Sequence, residues 1–142
     1  MNFGPAVAVA FVFVWLGMVL AISFLEAPLK FRAPGVTLPI GLGIGRLVFR
    51  ALNAAEVVFA LVIAIALALS RLHVGLVVAP AVAVVALAIQ LVFVRPRLTR
   101  RSDAVLAGDH APRRSRGHYA YVGLESVKVV ALTTAGVLLL SG

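Results

Sequence analysis

Glu56, Glu125 and Lys128 each lie inside an otherwise apolar run. Two carboxyls and an amine that face one another can hold a proton, an ion or a small polar ligand, or can simply pair. An ionised side chain deep in hydrocarbon costs about 2.5–3.5 kcal/mol on insertion scales, so such groups must turn away from lipid and find partners. Their spacing permits this. Positions 46, 50, 53 and 56 fall within a ~120° sector of an α-helix, because each residue advances about 100°. Positions 118, 121, 125 and 128 share a sector in the same way. Arg46, Arg50, Asn53 and Glu56 therefore make one polar stripe, and His118, Tyr121, Glu125 and Lys128 a second.

Turned face to face, the stripes predict a Glu56–Lys128 pair, with Asn53 donating to the carboxylate oxygen left over. Lys128 meets Glu125 only weakly on its own helix, at i,i+3. Glu26, at the end of the first apolar run, is placed to meet Arg46 or Arg50, and Gln90 lies near the same level. The candidate ligand- or ion-binding set is thus Asn53, Glu56, Glu125, Lys128, Arg46, Arg50, Glu26, His118 and Tyr121. Two readings compete for it. One is a structural clamp that fixes helix register through interhelical hydrogen bonds. The other is a hydrated vestibule, open to the cytoplasm, for a small ligand, ion or proton.

The elements that position these residues follow from hydropathy. Mean hydropathy is +1.12, and 63% of residues are hydrophobic. A soluble domain of this length could not hide so much apolar surface. Four apolar runs, about 5–25, 47–70, 74–94 and 119–140, are each long enough for the ~20 residues that cross a ~30 Å hydrocarbon core. All must be helices, since lone strands would leave backbone groups unpaired in lipid. The first run reads as a retained helix rather than a signal peptide, because no Lys or Arg precedes it.

Charge gives the direction. Of the 13 basic residues, Lys30, Arg32, Arg46 and Arg50 follow the first run, and Arg95, Arg97, Arg100, Arg101, Arg113, Arg114 and Arg116 follow the third. The turn after the second run has only Arg71. The positive-inside bias places both rich loops in the cytoplasm and both termini outside. The expected setting is a bacterial inner membrane. The net charge of +8 then points to anionic headgroups as partner and not to nucleic acid. Residues 95–117 read as a mobile solvated loop. Residues 27–45, with prolines and repeated glycines, predict an interfacial or re-entrant stretch that no regular helix crosses.

At an offset of 72 residues, span two echoes span four: Gly45 with Gly117, Leu52 with Leu124, Val57 with Val129, Asn53 with Glu125 and Glu56 with Lys128. A tandem duplication of a helical hairpin would produce this, as would chance in an Ala/Val/Leu background.

Other chemistry finds little support. The absence of cysteine excludes disulfides, thiol catalysis and cysteine-bound metal. Gly41-Leu-Gly-Ile-Gly45 lacks the spacing of a phosphate loop, although an anion near the following helix N-terminus, beside Arg46 and Arg50, is physically sensible. Of the three histidines, only His118 joins the polar layer, so neither facing haem ligands nor a metal site is expected. Trp15 reads as packing, and Pro80 as a bend in the third helix.

Ser23-Phe-Leu-Glu-Ala-Pro-Leu-Lys-Phe-Arg32 and Gly45-Arg-Leu-Val-Phe-Arg50 are similar to the first half of small bacterial four-helix proteins of unknown function, which loosely resemble the CopD-like and HemJ-like membrane families. The HemJ-like resemblance implies porphyrin chemistry with a histidine within a helix, and the CopD-like one implies copper handling. This chain has no histidine deep in a span, two methionines and no cysteine, so neither activity is carried over.

The expected fold is all-α: a polytopic membrane protein of four transmembrane helices in one domain. The leading expectation is a transport or permeation protein without cofactor, working as a homo-oligomer or with a membrane protein partner. The alternatives are an accessory or assembly protein clamped by its polar layer, and a redox-cofactor-binding subunit.

Overall fold

The computed structural model describes residues 3–70, 74–94, 100 and 116–141. Among the described residues, four helices are long and apolar enough to cross a membrane, as expected of a multi-pass membrane protein. Helix α1 runs Phe3–Lys30 and α2 Leu38–Ser70. Helix α3 covers Val74–Ile89 and continues as a π-helical stretch, Gln90–Val94. Helix α4 covers Arg116–Ser141. Most of the arginine-rich loop lies outside the described residues, as do Arg71, His73 and His110.

Helix α1 packs against both α2 and α4, and α3 packs mainly against α4. Each helix buries one stripe. On α1 it is Ala8, Val12, Trp15 and Val19, all with no exposed surface, at the i, i+4, i+7, i+11 spacing of one helix face. On α4 the stripe changes character along its length: Tyr121, Glu125 and Lys128 give way to Leu132, Ala135 and Leu139. On α2, Asn53 and Glu56 give way to Ala60, Ile63 and Leu67. The buried interior is therefore polar towards one end and apolar towards the other. Outward positions such as Leu61, Ile65, Val85, Val130 and Val137 are apolar and exposed, as a lipid-facing surface requires.

The connection between α1 and α2 corrects the expectation for residues 27–45. Helix α1 persists to Lys30, and α2 begins at Leu38 and runs through Pro39, Gly41, Gly43 and Gly45 without interruption. Pro39 falls in the first turn, where its missing N–H is harmless. Thr37 caps the helix, its hydroxyl accepting from the Ile40 N–H at 3.3 Å. The turn itself uses Gly35 at φ 82°, a left-handed conformation that favours glycine. The glycines serve close approach within a helix. A Cβ on Gly41 would lie 2.1 Å from the Phe31 ring, and one on Gly45 would lie 2.8 Å from Lys30 Nζ. Residues 41–45 are helical, so the helix N-terminus lies at Leu38 and not beside Arg46 and Arg50 as expected.

Between Leu20 and Glu26, α1 is π-helical. In a continuous α-helix Ser23 would point about 80° away from Trp15. The wider π turns rotate it back towards the same side, and both side chains reach the buried polar groups.

Candidate functional site

Five polar residues, Asn53, Glu56, Gln90, Glu125 and Lys128, are buried where the polar ends of the stripes meet. Lys128 is central. Its ammonium contacts Glu56 Oε2 across helices and Glu125 Oε1 at 2.5 Å along its own helix. The cross-helix pair is the predicted one. The i,i+3 contact is closer than expected, because both side chains are sealed from water.

The carboxyls are bound unequally. Glu125 accepts on both oxygens: Gln90 Nε2 donates to Oε1 at 2.7 Å and Ser23 Oγ to Oε2 at 2.5 Å, beside the Lys128 contact on Oε1. Glu56 accepts on Oε2 alone, from Trp15 Nε1 at 2.7 Å and from Lys128. Glu56 Oε1, Asn53 Oδ1 and Gln90 Oε1 are buried with no hydrogen-bond partner among the described residues. The expected donation from Asn53 to the free carboxylate oxygen is thus not made, although the two residues lie one turn apart on the same face.

Gln90 also donates to the Tyr121 carbonyl at 3.3 Å, which fixes its amide with the nitrogen towards α4 and the oxygen away. Tyr121 is buried and meets Phe49 edge-on, with ring centroids 5.6 Å apart. Beyond that pair the lining changes: the Lys30 ammonium lies over the Phe31 and Phe49 rings at 5.5 and 5.7 Å.

Of the residues singled out from the sequence, Glu56, Glu125 and Lys128 are in contact, and Asn53 and Tyr121 are buried near them. Arg50 is exposed, and Arg46 and Glu26 are half-buried. Oε2 of Glu26 is buried without a hydrogen-bond partner among the described residues. His118 lies in the first turn of α4, but its side chain lies outside the described residues. The site is not an open vestibule: Glu56, Gln90 and Lys128 have no exposed surface and Glu125 has 1%. Two apolar clefts between α3 and α4, lined by Gly75, Val78, Val82, Val127 and Val130, include none of the cluster.

Two donors were missed in the sequence. Trp15 packs as expected but also donates to Glu56. A mid-span indole N–H needs an acceptor, and that need was the available signal. Ser23 had no such signal, because its inward direction depends on the π-helical turns.

Comparison with protein-family models, curated proteins and solved structures finds no match to this chain.

Proposed function

We propose that this chain is a small multi-pass membrane protein of the transport or permeation type, whose working site is the Glu56–Lys128–Glu125 cluster. The observation that supports this reading is a charge imbalance. Two carboxyls are buried against one ammonium, so the fully ionised cluster carries one uncompensated negative charge in an apolar interior. Burying such a charge is expensive. A proton or a small cation has to be held there, and a group that holds one can exchange it.

The loop charges orient the site towards the cytoplasm, with both termini outside and the arginines on anionic headgroups. Four helices enclose little space, so a homo-oligomer completes the pathway. A duplicated hairpin fits the pairing of Glu56 with Lys128, 72 residues apart, and the π-helical stretches within both α1 and α3.

The test is flux in liposomes of the purified chain, with an imposed proton or cation gradient and an internal indicator dye. Glu56→Gln should abolish flux while melting stays close to wild type.

One observation favours a second reading, the structural clamp: all four helices contribute to the cluster, through Trp15 and Ser23, Glu56, Gln90, and Glu125 with Lys128. For a clamp held by an ionised Glu56, Glu56→Gln should lower melting strongly, and no flux should be seen in wild type.

A further inference from the structure

The hydrogen bonds around the two carboxyls differ. An ionised carboxylate accepts on both oxygens, whereas a protonated carboxyl accepts on its carbonyl oxygen and donates from the other. Glu125 takes Ser23 on one oxygen and Gln90 and Lys128 on the other, so both oxygens are acceptors. Among the described residues, Glu56 takes Trp15 and Lys128 on Oε2 and nothing on Oε1. Next to it along α2, the carbonyl oxygen of Asn53 is buried and also lacks a donor among the described residues. Residues three apart on a helix are surface neighbours, with Cβ atoms about 5–6 Å apart.

We infer that the cluster holds a single proton on Glu56 Oε1, donated to Asn53 Oδ1, while Glu125 is the ionised counterpart of Lys128. One proton then cancels the excess negative charge and satisfies two orphaned buried oxygens together. The groups facing Glu56 support the assignment from each side. From α1 comes the neutral Trp15 donor, from α4 the ammonium of Lys128 with Glu125 behind it, and on α2 itself the neutral Asn53. Among the described residues Glu26 is the other carboxyl, half-buried near the end of α1, three residues beyond Ser23.

The exchangeable species is therefore the proton itself. The side chains are sealed, and the described clefts lie elsewhere, so a larger solute has no room beside Glu56 in this conformation. If the proton leaves, Glu56 and Glu125 are both ionised beside one ammonium. It therefore departs only as another proton or a monovalent cation takes its place.

This inference rests on reading the cluster as an exchanging site, but the two fail separately. Infrared spectroscopy of the full chain in lipid bilayers at neutral pH reads the proton directly. The wild type should show the C=O stretch of a protonated, water-shielded carboxyl, and Glu56→Gln should abolish it. Asn53→Leu should move the band to higher frequency, because its hydrogen-bond acceptor is gone. Ser23→Ala, which removes a hydroxyl that donates to Glu125, should leave it in place. Lys128→Met should roughly double the band, since two buried carboxyls without an ammonium both neutralise. If Asn53→Leu does not fold, Asn53→Ser, with its shorter acceptor, is read through the same frequency shift. A wild-type spectrum without the band overturns the inference, even if flux is measured. A band that moves with Ser23→Ala and ignores Asn53→Leu also overturns it, by placing the proton on Glu125. A band with the expected shifts but no flux supports the proton assignment and removes the transport reading.

Discussion

Trp15 and Glu56 are joined by a 2.7 Å hydrogen bond between residues 41 apart in sequence, and the accepting oxygen is the one that also meets Lys128. The bond ties α1 to the α2–α4 ion-pair layer at the point where the interior turns from polar to apolar. Trp15 is the only tryptophan in the chain, so its fluorescence reports this one contact.

Trp15→Phe retains much of the packing and removes the donor. Losing a hydrogen bond to a buried polar group costs about 1–3 kcal/mol, so thermal melting in detergent should fall by a corresponding amount. In wild-type Trp15, Glu56→Ala should shift the emission maximum, because the N–H loses its acceptor. Unchanged emission would separate Trp15 from the site.

The unequal carboxyls make an ordered prediction about Lys128. Lys128→Met strands Glu125, and breaking a buried pair on one side costs about 3–5 kcal/mol. Adding Glu125→Gln should recover most of this loss. Adding Glu56→Gln instead should recover little if Glu56 carries the proposed proton. Melting of the single and the two double variants gives the order, and the reverse order contradicts the assignment.

The α1–α2 corner depends on close approach. Gly41→Val forces a side chain into the Phe31 ring, which lies 2.1 Å from the position of the first added carbon. Overpacking of this kind costs about 1–3 kcal/mol. Phe31→Ala should relieve most of the cost in the double variant, giving a clear coupling energy in a double-mutant cycle. Additive effects would mean that the two residues do not meet.

Orientation is testable because the chain contains no cysteine. A thiol at Ser141→Cys should react with an impermeant maleimide applied to intact cells, and one at Ser102→Cys should react only after permeabilisation. The opposite pattern inverts the topology and places the cluster near the other face.

Much of this architecture is legible without coordinates, because hydropathy and period are local. A run of apolar residues demands a helix wherever it is solvated by lipid. The ~100° advance per residue put Glu56 and Lys128 on stripes that could meet, and the structure pairs them. Local rules failed at residues 38–46. Pro39 and the glycines punctuate soluble chains, but here they fit a first helical turn and a close helix contact.

What the tertiary structure alone decided is which donor reaches which oxygen. Trp15 and Ser23 become partners of different carboxyls through the rotation of α1 and its π-helical turns. Gln90 reaches Glu125 through the packing of α3 on α4. The chain determined that two acids and one amine would be buried. Only helix rotation and crossing determined that one acid is bound on both oxygens and the other on one, because hydrogen-bond direction depends on where neighbouring backbones stand and not on residue spacing along one of them.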